Sequence, residues 1–300
     1  MTDSGVTMWK YWLMALVSPL LWGTTYAVSQ RWLADVHPMW QAAGRVMLCG
    51  LVMLPLLRFS TWRTRWRDIL LLALFNIAIF TLLLFVSIVR LPGGVSATLV
   101  STVPLVVLLL LWVQGQAPGF TRLLASLAGV VGVGMLVLKG EAHLDWIGVA
   151  AALGACFSMA IGALLVPKLS KGIPPLELAA YQIVVAGILL TGAALMTGAK
   201  FPTLGTEQWL SLIWIGPIGV GIGYFCWFKG LTVLPVDKLA FLGLINPVIA
   251  VALGVVVMDE TFTGVQVAGM VVVLTSLLVA QLPSGTLRPS AGVCAKAEQG

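Results

Sequence analysis

Only one ionisable side chain stands well inside an apolar stretch of this sequence: Arg45, seven residues beyond Pro38. At helical rise that is about 10 Å from the start of its run. A guanidinium at such a depth has two outlets. It can snorkel back to the interface, or it can face a wet cavity and pair with a substrate carboxylate or a backbone carbonyl. Other groups near the middle of apolar runs are aromatic or hydrogen-bonding. They are Trp22, Thr25 and Tyr26; Asn76 and Phe80; Ser101 and Thr102 beside Pro104; Phe157, Ser158 and Met159; Tyr224 and Trp227; and Phe241 and Asn246 beside Pro247. A mainly apolar set with scattered polar groups has the character of a small-molecule binding site. Asn76 and Asn246 weigh most, because an amide buried against lipid is costly and needs a partner or a cavity.

Bond-breaking chemistry is poorly supplied. The sequence holds no HExxH, no GxxxxGK[ST] and no GxSxG. His37 and His143 fall in short connections, and acidic residues such as Asp68, Asp145, Glu177, Asp259 and Glu260 lie only near the ends of apolar runs. Cys49, Cys156, Cys226 and Cys294 show no CxxC spacing, so no metal site, disulfide framework or cofactor is expected. A catalytic role is not expected, and neither is ATP hydrolysis by this chain.

These groups must be held by membrane helices. Of the 300 residues, 60% are hydrophobic and 9% charged, against about 25% charged in soluble domains. Cutting at charged, Pro and Gly clusters predicts an all-α polytopic protein with ten spans, at about 20 residues per span. They are 12–32, 38–57, 68–89, 93–113, 121–139, 145–167, 174–196, 207–229, 236–258 and 263–281. Residues 1–11 form an N-terminal segment, and 282–300, rich in Pro, Ser and Gly, read as a disordered tail. With the N-terminus cytoplasmic, twelve of the 17 Lys and Arg residues fall on the cytoplasmic side and four outside. That asymmetry places both termini inside. The net charge of +6 is dispersed as topology signals and argues against nucleic-acid binding, leaving the bilayer and a small-molecule substrate as partners. Trp62 and Trp66, interleaved with arginines, read as an interfacial anchor. Oligomeric state does not follow from the sequence.

Two stretches share a layout. Leu91–Gln116 and Leu234–Glu260 each begin Leu-Pro and carry a second proline twelve positions on, Pro92 to Pro104 and Pro235 to Pro247. Phe-Thr opens the next run in both, Phe120-Thr121 and Phe262-Thr263. Likewise Pro38-Met-Trp-Gln-Ala42-Ala43-Gly-Arg45 aligns with Pro175-Leu-Glu-Leu-Ala179-Ala180-Tyr-Gln182, and Gly50 with Gly187. The expectation is two five-span repeats, 12–140 and 141–281. Five is odd, so the second is inverted, with a site near the midplane between them. Pro104 and Pro247 then read as kinks and hinges in the fourth and ninth spans, freeing the carbonyls of Val100 and Gly243.

The pattern Gly221-x-Gly-Tyr224-x-x-Trp227-x-x-Gly-Leu231, then Leu234-Pro235, Asn246-Pro247 and Glu260-x-Phe-Thr-x-x-Gln266-x-x-Gly269, resembles the C-terminal repeat of the drug/metabolite transporter superfamily. It is most similar to the ten-helix carriers built from two homologous repeats. Trp22-Gly23 and Arg45 match the corresponding N-terminal pattern, while Phe157-Ser158 departs from it where a Trp is common. The resemblance implies a bacterial inner-membrane exporter of small metabolites with a central cavity, closest to exporters of amino acids, aromatic ones included. Drug efflux and nucleotide-sugar-like carriers share the plan, though one arginine is a poor match to a phosphate-rich substrate. A membrane enzyme acting on lipid-linked substrates is the remaining alternative.

Overall fold

The computed structural model describes residues 3–116, 119–138, 145–231, 233–234 and 242–281. Among them every regular element is helical. In chain order they are α1 (Asp3–Trp32), α2 (Pro38–Met53), α3 (Phe59–Ala73), α4 (Phe80–Ile88), α5 (Gly93–Val100), α6 (Val103–Val113), α7 (Phe120–Leu138), α8 (Trp146–Leu169), α9 (Pro175–Met196), α10 (Thr206–Ile213), α11 (Gly223–Leu231), α12 (Ile245–Met258) and α13 (Gly264–Gln281). Six stretches are long and apolar enough to cross a membrane: Pro38–Leu56, Phe59–Ile88, Gly93–Val113, Trp146–Leu169, Pro175–Met196 and Thr206–Trp227. Phe120–Met135, Ile245–Met258 and Gly264–Ala280 are shorter apolar helices. The tail expected over 282–300, Pro235 and Phe241 all lie outside the described residues.

Helix starts follow local chemistry. Pro38 and Pro175 open α2 and α9, where the missing N–H has no helical partner anyway. Asp145 caps α8, accepting from the N–H groups of Ile147 (2.7 Å) and Gly148 (3.3 Å). The guanidinium of Arg90, hydrogen-bonded to the same carboxylate, holds it below the usual carboxylate range, and the two N–H groups add to the effect.

Three features differ from the sequence expectation. First, Pro104 does not kink a continuous helix. The fourth span is broken into α5 and α6 by a turn at Ser101-Thr102, and Pro104 sits in the first turn of α6. Pro247 likewise falls in the first turn of α12. Proline is cheap there and costly mid-helix, so each proline starts a helix after a break. The carbonyls are not left idle: that of Val100 lies 3.5 Å from Cys156 Sγ, and that of Gly243 accepts from Asn246 N–H at 3.2 Å. Second, α3 and α4 are joined through a π-helical segment, Leu74–Ile79, and α10 and α11 through another, Trp214–Ile222, which contains Pro217. Third, helix precedes the expected start of the third span. Arg65 donates to the carbonyls of Leu169 and Lys171 at the end of α8 and to Asp68, so it is a structural tie as well as a surface base. Trp62 stacks on Tyr181.

The partnerships come in matched sets. α1 packs on α11 and α12, as α8 packs on α4 and α6. α2 lies on the second π segment, as α9 lies on the first. α2 crosses α9, and α7 crosses α13. At the α2–α9 crossing a Cβ on Gly50 would stand 3.3 Å from Val184 Cα, and one on Gly187 would stand 3.1 Å from Met47 Cα. The same sequence offset separates 47 from 184 and 50 from 187. Small residues let the two backbones approach this closely.

Candidate functional site

The broken fourth span, the first turn of α12 and the faces of α1, α2, α4, α8 and α11 surround a cavity of about 430 Å³. From α1 come Trp22, Thr25 and Tyr26, spaced so that they share one helical face. α11 supplies Tyr224 and Trp227, α4 supplies Phe80 and Leu84, and α8 supplies Met159. Ser101 and Pro104 line the wall at one break, and Gly243, Asn246 and Pro247 at the other. The Trp22 ring centroid lies 5.6 Å from those of both Tyr224 and Trp227. Its Nε1 donates to Gly219 O (2.9 Å), a carbonyl within the second π segment. Gly223 leaves room for it, since a Cβ there would meet Nε1 at 2.7 Å.

Arg45 is on this wall and only 9% exposed, so it does not snorkel. Its guanidinium lies 5.7 Å from the centroid of the Phe85 ring. Ion pairs among the described residues are Arg58–Glu177, Arg65–Asp68 and Arg90–Asp145, and none involves Arg45. A buried cation without an acid is stabilised by an aromatic face and gains strongly from an incoming anion. Two oxygens complete the inventory. Thr25 Oγ1 and Asn246 Oδ1 are buried with no hydrogen-bond partner. The lining therefore offers one cation and an aromatic wall, with two unpartnered oxygens on residues that belong to it.

Asn76 is elsewhere. It donates through Nδ2 to Gln182 Oε1 (2.9 Å), and both line an adjoining cavity of about 330 Å³. Met159 and Tyr224 line both cavities, so the two meet there. The second runs toward Ser170, Ile173 and Pro175, between α8 and α9. Thr102 and Phe157 face a third, peripheral groove with Trp112 and Leu127, and Phe157 is 42% exposed. The signal was available: Phe157 and Met159 are two residues apart on a helix and point to nearly opposite sides. Phe241 lies outside the described residues. Ser158 turns inward and donates to Phe75 O (2.7 Å) in the first π segment, the counterpart of Trp22 on Gly219. Pairing of that kind carries no residue-type signature in sequence.

At the end of the bundle away from Ser170, contacts are dense. Gln41 is hydrogen-bonded to Ser29 and to the carbonyls of Leu33 and Val36, and Ser87 is bonded to Ser96 at 2.8 Å. Glu260 accepts from backbone N–H groups at the start of α5. Among the described residues no group of three His, Cys, Asp or Glu side chains is placed to hold a metal ion.

The sequence profile of the EamA-like transporter family matches the chain twice, over residues 9–138 and 146–281. Protein PecM of Dickeya dadantii is 30% identical over 271 residues, covering 89% of this chain and 91% of that protein. A probable amino-acid metabolite efflux pump of Escherichia coli is 26% identical over 284 residues, covering 89% of this chain and 93% of that protein. A solved crystal structure superposes with a TM-score of 0.62 at 18% identity, over 90% of this chain and 96% of that one, which shows a shared fold. The chain belongs to the EamA-like transporter family.

Proposed function

We propose that this EamA-like transporter is a secondary exporter of small metabolites, amino acids with aromatic or other apolar side chains foremost, working by alternating access around the Arg45 cavity. The observation that carries the reading is the cavity's inventory. Arg45 suits a carboxylate, which a guanidinium can hold with two parallel hydrogen bonds. Thr25 Oγ1 and Asn246 Oδ1, both buried and unpartnered, suit the donors of an ammonium group. Trp22, Tyr26, Phe80 and Trp227 suit an apolar or aromatic side chain. A relative named as a probable amino-acid metabolite efflux pump supports the same class.

The architecture we infer is ten spans: the six long stretches, the three shorter apolar helices, and α1. They form two inverted repeats, 12–140 and 141–281, in a bacterial inner membrane with both termini cytoplasmic. The doubled family match and the paired helix contacts support this arrangement. In that orientation the second cavity, with its mouth near Ser170, is the cytoplasmic approach, and the Glu260 end faces outward. Substrate would enter past Gln182 and Asn76 and meet Arg45 beyond Tyr224.

Counterflow in proteoliposomes tests the reading. Vesicles preloaded with phenylalanine, tryptophan, leucine or a polar amino acid are diluted into trace labelled substrate, with and without a pH gradient. Saturable, transient accumulation for the apolar set is expected. Counterflow absent across the amino-acid panel, from protein that is monodisperse, would overturn the substrate class.

A further inference from the structure

Among the described residues the cavity holds no carboxylate, yet acidic side chains are drawn into the bundle elsewhere: Glu177 at the start of α9 and Glu260 after α12. Glu260 follows α12 and folds back over it. Its N–H donates to Gly254 O (2.9 Å), and the carboxylate rests where a side chain on residue 254 would be, since a Cβ there would stand 2.3 Å from Glu260 Oε2. The Glu260 carboxylate accepts from the N–H groups of Gly93 and Gly94, the latter at 3.2 Å, which are unpaired donors at the start of α5. The contact ties α12 to α5 at the end of the bundle away from Ser170.

Beside it stands an acceptor with nothing to accept. Gln30 Nε2, on α1, donates to the carbonyls of Ile88 (3.0 Å) and Leu91 (2.8 Å). That fixes the amide, because the flipped form would face two carbonyl oxygens with a third oxygen. Gln30 Oε1 is buried and without a partner. A Cβ on Gly93 would lie 2.9 Å from Gln30 Oε1 and 3.4 Å from Glu260 Oε1, and the two residues line one small cavity of about 260 Å³, so the two oxygens are neighbours. A buried acceptor and a half-buried carboxylate gain nothing from each other while both can only accept. One proton on Oε1 lets the carboxyl reach Gln30 Oε1 as an O–H···O donor and leaves Oε2 for the Gly94 N–H.

We propose that Glu260 and Gln30 form a proton-operated latch: proton uptake secures the closed end of the bundle, and proton loss favours its opening. Under the alternating-access reading above, acid on that side slows the outward opening of the carrier. Among the described residues the charged groups at that end of the bundle are Arg31 at the end of α1, Asp35 after it, Arg90 after α4, Asp145 at the start of α8, Lys200 and Glu207 around the start of α10, and Asp259 beside Glu260 in sequence. Arg90 is held by Asp145, and no ion pair reaches Glu260 among the described residues. Burial pushes the Glu260 carboxyl above its ordinary value of 4.5, partly offset by the two glycine N–H groups. The sign follows. Well above the raised value the carboxylate is ionised whether the latch is open or closed, and closure is weakest. As pH falls through the raised value, the closed arrangement takes up the proton first and gains. Below the ordinary value both arrangements are protonated and nothing more is gained.

The test is access to Ala97, which is buried and lines the cavity. In a cysteine-free background, Ala97→Cys is labelled with a membrane-impermeant maleimide in sealed vesicles. Their orientation is the one that labels Lys200→Cys, an exposed position whose neighbour Ala199 is bonded to Trp40 of α2. The ratio of the two labelling rates cancels the pH dependence of thiol chemistry. From about pH 5 to about pH 8 the ratio rises several-fold in the chain with Glu260 and stays flat and low with Glu260→Gln, whose amide can donate to Gln30 and accept from Gly94 at every pH. A flat ratio with Glu260 present, or the same slope in Glu260→Gln, overturns the latch. Where the Gln variant is not monodisperse, Glu260→Asp takes its place; it still titrates, and an unmoved midpoint counts against the proposal. Labelling needs no substrate, so the expected slope from a chain that shows no counterflow would overturn the substrate class alone.

Discussion

A guanidinium held over Phe85 and left without an acid among the described residues is the least comfortable group in this bundle, and an incoming carboxylate is what relieves it. Charge-assisted hydrogen bonds contribute about 1.5–3 kcal/mol. Arg45→Gln, which keeps much of the volume and loses the charge, is therefore expected to weaken apparent substrate affinity about 10–100-fold in counterflow. Arg45→Lys should recover only part, because an ammonium cannot reproduce the two-pronged grip. Wild-type affinity in Arg45→Gln would remove the carboxylate partnership. Much at this scale was legible in the sequence. Arg45 stood out as the one charge within a span, and Trp22, Thr25 and Tyr26 announce a shared face by their spacing. Selecting polar and aromatic residues by depth alone also brought in Thr102 and Phe157, because depth says nothing about which way a side chain points. The juxtaposition of Gln30 and Glu260 was invisible, since they stand 230 positions apart in sequence.

Among the elements, the two prolines matter through where they let helices begin. Replacing Pro104 restores an N–H that can pair with Val100 O and run α5 into α6 through Ser101-Thr102. Pro104→Ala and Pro247→Ala are expected to leave expression and monodispersity intact and to slow counterflow several-fold, because a healed helix loses its joint. Unchanged rates in both variants would end the hinge reading. Hydropathy located the apolar stretches well, as it should for helices that satisfy their own backbones in lipid. It could not reveal the π segments. In a run that is apolar on every side, one extra residue per turn leaves no mark on the pattern. Pro217, and the donors Trp22 and Ser158 that engage carbonyls in the two segments, are the physical signs.

For the molecule as a whole, the α2–α9 crossing gives the sharpest test of an exchange-related pair. Gly50→Ala and Gly187→Ala each drive a methyl against backbone atoms of the facing helix, at 3.3 Å and 3.1 Å. Backbone yields only if the helices part, so each should cost about 1–3 kcal/mol in thermal unfolding in detergent. Once parted by one methyl, the helices admit the second more cheaply, and the double variant should lose less than the sum. Full additivity would mean the two contacts are independent. This crossing was foreshadowed by the alignment of Gly50 with Gly187, whereas the dense contacts at the Glu260 end had no counterpart in sequence. The exchanged donors on the π carbonyls bear on biosynthesis. Phe75 leaves the ribosome long before Ser158, and Trp22 long before Gly219. The earlier-made half must therefore wait in the lipid for both bonds, with an indole N–H unspent. Insertion of the nascent chain is finished only when its later half arrives, so quality control meets a half-made protein as an unpaired subunit.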